Sequence, residues 1–137
     1  MIRLAERRHR EAVFGLASRF ATSFEVEQAA FDRAWSRLLV DKDACLLVAE
    51  DEGAILGYLL GFRHETFFAN GPVGWVEELM VDVARRGQGL GRDLMRYFEG
   101  WAAEAGCNLV ALATRRADAF YRAIGYEESA TYFRKLL

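Results

Sequence analysis

The chain has 137 residues, the size of one domain, and a single domain over 1–137 is expected. Apolar residues make up 53% and charged residues 28%, enough for one sizeable core under a polar surface. The net charge of −2 argues against a dedicated nucleic-acid binder, and the longest apolar run, Ala54–Phe62, is too short to span a membrane. The segment Met1–Arg8 has no apolar h-region, so no secretory signal is expected and the cytoplasm is the expected location. Cys45 and Cys107 each adjoin an apolar run and read as reduced core thiols. Two Cys and two His without paired spacing give no metal site.

In chain order, Ile2–Leu4 is predicted as a short strand. A helix follows, with Val13, Leu16, Ala17 and Phe20 at helical spacing, until Ala21-Thr22-Ser23 breaks it. A second helix is predicted over 24–39, with Phe31, Ala34, Trp35 and Leu38 on one face. Cys45–Glu50 and Ile55–Phe68 read as the strands of a hairpin around the turn Asp51-Glu52-Gly53. Trp75–Val83 is a further strand after the loop Asn70-Gly71-Pro72. A helix runs from Gly89 to Ala105, where Gly106 stops it, with Leu90, Leu94, Phe98, Trp101 and Ala105 as its buried stripe. Asn108–Thr114 is a strand, and Ala117, Phe120, Tyr121 and Ile124 mark a short helix ended by Gly125. Tyr132–Leu137 is predicted as a closing strand. Strands and helices mixed in one small domain imply an α/β (α+β) sandwich. His9, set among charges, reads as a surface residue.

The segment from Val81 to Leu94 carries the chemistry. A strand enters the turn Arg86-Gly87-Gln88-Gly89-Leu90-Gly91, which opens an amphipathic helix. Glycines let backbone N–H groups approach an anion, and the helix N-terminus adds unpaired donors. Arg86 and Arg92 flank the turn, and Arg85, Arg96, Arg115, Arg116 and Arg122 fall nearby in sequence, which suits a polyanionic small ligand. No Lys-Ser/Thr follows, so this is not a Walker loop. The glycine spacing and late position do not fit a dinucleotide fingerprint either.

Arg86-x-x-Gly89-x-Gly91, preceded by Glu77-Glu78-Leu79-Met80-Val81, resembles motif A of the GCN5-related N-acetyltransferases (GNAT). Downstream, Ala117-Asp118-Ala119-Phe120-Tyr121-Arg122-Ala123-Ile124-Gly125-Tyr126 resembles the family's Ala-x-x-Phe-Tyr-x-x-x-Gly-Phe segment. The resemblance covers nearly the whole chain. It implies a mixed, mostly antiparallel central sheet, splayed at its middle and flanked by about four helices. It also implies acetyl-CoA as co-substrate and acetyl transfer to an amine by direct attack in a ternary complex. Arg86, Gly87, Gln88, Gly89, Leu90, Gly91 and Arg92 would hold the cofactor's pyrophosphate. Leu79, Met80 and Val81 would offer backbone to the pantetheine arm and acetyl oxygen. Many members carry Asn at the start of the last helix. Here Arg115-Arg116-Ala117-Asp118 stands in its place, which leaves Arg115 or Arg116 to remake the contact, and Arg116 joins the expected cofactor-binding set.

A base and an acid complete the chemistry. An ideal strand puts Glu77 and Glu78 on opposite faces, Glu77 with Trp75, Leu79 and Val81, Glu78 with Val76, Met80 and Asp82. Either carboxylate beside the acetyl group can take the amine's proton, and the residues alone do not choose between them. The Tyr of the family's Phe-Tyr pair commonly protonates the departing thiolate, which points to Tyr121. A phenol near ~10 can serve a thiolate whose conjugate acid lies near ~8.5. Phe24, Glu25, Tyr58, Phe62 and His64 are candidate acceptor contacts. The region from Trp75 to the C-terminus resembles aminoalkylphosphonate N-acetyltransferases, so a small-molecule amine is the expected acceptor. The alternatives are a protein-lysine or N-terminal acetyltransferase, and a non-catalytic acyl-CoA-binding module on the same fold. A homodimer paired at the closing strand is expected.

Overall fold

The computed structural model describes residues 1–21 and 23–137, so Thr22 of the expected helix break lies outside the described residues. Five strands form one sheet in the order β1 (Ile2–Leu4), β2 (Ala44–Asp51), β3 (Ala54–Glu65), β4 (Pro72–Val81) and β5 (Val110–Leu112). The first four pair antiparallel, and β5 joins β4 in parallel. The helices are α1 (Arg10–Phe20), α2 (Gln28–Leu38), α3 (Leu90–Glu104) and α4 (Asp118–Ala123). Among the described residues, the expected mixed, mostly antiparallel sheet with four helices is observed.

Period-two alternation along β2 builds two cores. Leu46 and Val48 face one side, where they meet Val13, Leu16 and Ala17 of α1 and Trp35 of α2. Cys45, Leu47 and Ala49 face the other, with Leu94, Met95 and Phe98 of α3, bordered by Phe120 and Tyr121 of α4. Two glycines seat α3 on the sheet. Phe98 is fully buried, and a Cβ at Gly61 would collide with its ring, while one at Gly74 would lie 3.2 Å from Phe98 and 3.1 Å from Ala102. Burying such an aromatic contributes about 1.5–3 kcal/mol.

Several sequence expectations need correction. The chain is still extended at Glu27 (φ −91°, ψ 133°), so α2 begins at Gln28 rather than Phe24. β3 ends at Glu65 and leaves Phe67 and Phe68 exposed in the turn to β4. β5 is only three residues long. Tyr132–Leu137 forms no strand: among the described residues no strand pairs with it, and Tyr132, Phe133, Leu136 and Leu137 are exposed. His9 is buried, not superficial. Glu6 N–H donates to its Nδ1 at 2.9 Å, and its Nε2 lies 3.6 Å from Glu50, a residue remote in sequence. Cys45 is buried as expected, whereas Cys107 is partly exposed; both are free thiols. Among the described residues, no helix is long and apolar enough to cross a membrane.

Candidate active site

β4 is ten residues long, but β5 covers only Gly74–Val76. Beyond Val76 the sheet is open on that side. The direction of the backbone there follows from one bond: Asp82 N–H donates to the Leu56 carbonyl at 2.7 Å. Hydrogen-bonded pairs in an antiparallel ladder recur at every second residue, so Tyr58–Met80 and Leu60–Glu78 are also such pairs. Leu79 and Val81 therefore turn their amides toward the open edge. Met80 differs from the expectation, since its amide belongs to the ladder with Tyr58 and its side chain packs in the α1–α2 core. The Val81 carbonyl also faces the opening, where Arg86 Nε donates to it at 3.3 Å.

The register shifts between Leu60 and Gly61: Leu60 lies opposite Glu78, but Gly61 lies opposite Val76. Glu77 is the extra residue, a bulge that reverses which face the rest of β4 presents. Val76 packs on the α3 side, and so do Leu79 and Val81, while Met80 packs on the α1–α2 side. The ideal alternation that separated Glu77 from Glu78 is thus broken. Glu77 is exposed at the bulge. Glu78 accepts a 2.6 Å hydrogen bond from the buried Tyr58 hydroxyl and so belongs to the α1–α2 side. Tyr58 spends its hydroxyl on this carboxylate and does not line an open pocket.

After β4, Asp82 caps a short 3-10 turn (Val83–Arg85) by accepting from Ala84 N–H at 3.1 Å. Gly87 and Gly89 then adopt left-handed backbone, φ 81° and 83°, which side chains other than glycine rarely take. The first bond inside α3 runs from Asp93 N–H to the Gly89 carbonyl, so the amides of Leu90, Gly91 and Arg92 have no intrahelical partner. Gln88, Arg86 and Arg92 are exposed around this turn. Gly91 has a different task from the other two. A Cβ there would lie 3.1 Å from the Phe120 ring, so this glycine lets α4 pack against α3.

That packing places Tyr121 beside the same core that Leu79 and Val81 border. Its ring meets Phe120 and Tyr126 edge-on, at 4.9 and 5.9 Å between centroids. Tyr126 donates to Glu99 at 2.6 Å, whereas among the described residues nothing accepts from the Tyr121 hydroxyl. Burial pushes the Tyr121 phenol up to about 12. An open cavity of about 430 Å³ lies between α3 and α4, lined in part by Arg92, Arg96 and Glu99. Arg96 was visible in sequence only as one of several arginines; helical spacing from Arg92 is what puts both on this cavity. Arg116 is exposed just ahead of α4.

On the acceptor side, Arg19 at the end of α1 lies 3.9 Å from Asp82, which sets the end of α1 beside the open end of β4. Phe24 and Glu25 are exposed in the α1–α2 loop, and neighbouring Ser23 accepts from Arg134 at 2.9 Å. Phe62 and His64 pair with Trp75 and Val73, beyond the bulge. Phe62 is two residues along β3 from Leu60, the partner of Glu78, and shares its parity, whereas His64 is four residues along, roughly 13 Å, and is not brought to Glu78.

Known proteins resemble this chain in sequence and fold. The model of the acetyltransferase (GNAT) family matches residues 10–126. "Probable glucosamine 6-phosphate N-acetyltransferase 2" of Oryza sativa subsp. japonica is 32% identical over 142 residues, 96% of this chain and 86% of that protein. The aminoalkylphosphonate N-acetyltransferase of Salmonella typhimurium is 32% identical over 118 residues, 82% of this chain and 76% of that protein. The solved structure of AAC(6')-Iy in complex with the bisubstrate analog CoA-S-monomethyl-acetylneamine has the same fold, with a TM-score of 0.83 at 20% identity over 100% of this chain and 98% of that one. The chain therefore belongs to the acetyltransferase (GNAT) family.

Proposed function

We propose that the protein transfers the acetyl group of acetyl-CoA to the amine of a small molecule. One observation carries this reading. The unpaired amides of Leu79 and Val81 lead directly into a glycine turn and an open helix N-terminus flanked by Arg86 and Arg92. These are donors set in line for an extended ligand with a carbonyl at one end and phosphates at the other. Acetyl-CoA supplies the activated acyl carbon and a thiol leaving group. Backbone of Gly87–Arg92 and the Arg86 and Arg92 guanidiniums would hold the pyrophosphate, with Arg116 near the α4 end.

The residues then divide the work. The Leu79 and Val81 N–H groups, about 7 Å apart along the strand, would divide between the thioester oxygen, whose charge grows as the amine attacks, and the pantetheine arm; the donor on the oxygen stabilises the transition state. Glu78 takes the proton the amine sheds; its place on the α1–α2 side, held by Tyr58, favours it over the exposed Glu77. Tyr121 donates a hydrogen bond to the departing sulfur. A phenol raised to about 12 is a weaker acid than a thiol, so it stays protonated and steadies the thiolate more than it neutralises it.

The two relatives are named for small amines that carry a phosphorus oxyanion, which supports a small-molecule acceptor here as well. The test is a thiol-release assay with acetyl-CoA over a panel of amines that includes glucosamine 6-phosphate and aminoalkylphosphonates. Turnover with one class of small amine is expected. Turnover confined to peptide lysines or peptide N-termini would overturn the reading in favour of a protein acetyltransferase.

The assembly follows from the open edge of β5 and the exposed Tyr132, Phe133, Leu136 and Leu137. Two copies pairing through this apolar segment would cover it, so a homodimer is proposed, checked by light scattering against the 15.5 kDa chain mass. The cytoplasm, where free thiols such as Cys45 and Cys107 persist, is the proposed location.

A further inference from the structure

Tyr58 is 2% exposed, enclosed by Val13, Leu16, Ala17, Trp35 and Met80 in an otherwise apolar core. A phenol buried this deeply needs an acceptor for its hydroxyl. It finds one in a single carboxylate oxygen, Oε1 of Glu78, at 2.6 Å. Burial and this neighbouring carboxylate raise the Tyr58 phenol well above its ordinary range, so it is a donor at any working pH. The contact depends on the bulge. Without the extra residue at Glu77, Glu78 would follow the parity of Val76 and point toward α3, away from Tyr58.

We infer that Tyr58 is a positioning residue for acetyl transfer: it fixes Oε1 of Glu78 and leaves Oε2 as the oxygen that receives the amine's proton. This rests on the reading of Glu78 as the base. A glutamate side chain has three rotatable bonds, and ordering it costs rotamer freedom. A short bond from a rigid, buried ring meets that cost before the acceptor arrives. The ring is held by its packing, so it can tolerate little drift of the carboxylate. Misplacing a reacting group by about 1 Å lowers a rate by up to 10²-fold.

The test is a double-variant cycle on the single-turnover rate of acetyl transfer, using whichever amine the panel assay identifies. Tyr58→Phe keeps the ring and its packing and removes only the donor. It should lower the rate roughly tenfold to a hundredfold, with the acetyl-CoA dissociation constant unchanged and the melting temperature near that of the parent. Glu78→Gln should lower the rate further. In the Glu78→Gln background, Tyr58→Phe should then cost nothing more, because the carboxylate it positions is gone. If the two losses multiply, or if Tyr58→Phe keeps the full rate while Glu78→Gln does not, the positioning role is overturned and the base assignment stands. If Glu78→Gln keeps the full rate, the base assignment falls, and the positioning role falls with it.

Discussion

Arg86 turns back on the strand it follows, so that its Nε donates to the Val81 carbonyl at 3.3 Å and its Nη2 lies 3.9 Å from Met80 Sδ. The bond uses a carbonyl that has no partner because β5 stops short of it. It links the two parts of the site, the open strand and the glycine turn. A guanidinium held at that junction keeps its other donors near the point where a phosphate would meet the turn.

The glycines of the turn should separate by role. Gly89 sits at φ 83°, so Gly89→Val strains the backbone and crowds the anion site. Calorimetry should show acetyl-CoA affinity falling at least tenfold from a micromolar-range value in a protein that still folds. Gly91→Val should instead lower the melting temperature, because its side chain meets Phe120. Parental acetyl-CoA affinity in folded Gly89→Val would remove the turn from the cofactor site.

Tyr121→Phe keeps the edge-on packing with Phe120 and Tyr126 and removes the free hydroxyl. The rate of the chemical step should fall by about 10²-fold, with acetyl-CoA affinity little changed. A parental rate in this variant would make Tyr121 a packing residue alone.

Gly61→Ala places a methyl group against the Phe98 ring, which is fully buried. Such overpacking costs about 1–3 kcal/mol. Urea unfolding should show the loss as a lower midpoint at unchanged slope. An unchanged midpoint would mean that α3 shifts freely on the sheet.

These glycines mark where sequence reading reaches and where it stops. The turn at Gly87 and Gly89 was legible, because three glycines ahead of an amphipathic helix have few other uses. Gly61 and Gly74 were not, since their reason is a ring from another element. The element order was legible from periodicity, but the bulge at Glu77 was not. Alternation reports the parity of a strand only while no residue is inserted, and the insertion is defined by the partner strand. Tyr132–Leu137 has the composition of a strand but, among the described residues, no strand pairs with it. His9 looked superficial because its sequence neighbours are charged, while the carboxylate beside it, Glu50, arrives from β2.

Burial raises the Cys45 thiol to about 12, above the 9.0 of a free thiol. The neutral thiol is therefore favoured in the folded state. This contribution to stability is complete below about pH 9 and is lost as pH rises toward 12, because the unfolded chain releases the proton first. Unfolding midpoints should fall across that alkaline range. The fall should be shallower in Cys45→Ala, whatever its starting stability. An identical slope in both proteins would assign the alkaline loss to other groups.

The central claim is that the amides of Leu79 and Val81, left free by the splay of β4 from β5, hold the acyl end of the donor. Residue-resolved amide hydrogen exchange with and without acetyl-CoA reads this directly. Leu79 and Val81, together with Gly89–Arg92 in the turn, should gain protection on binding, while Met80, already bonded to Tyr58 across the ladder, should not. Binding that leaves Leu79 and Val81 as exposed as before, or that protects Met80 in their place, would contradict the account.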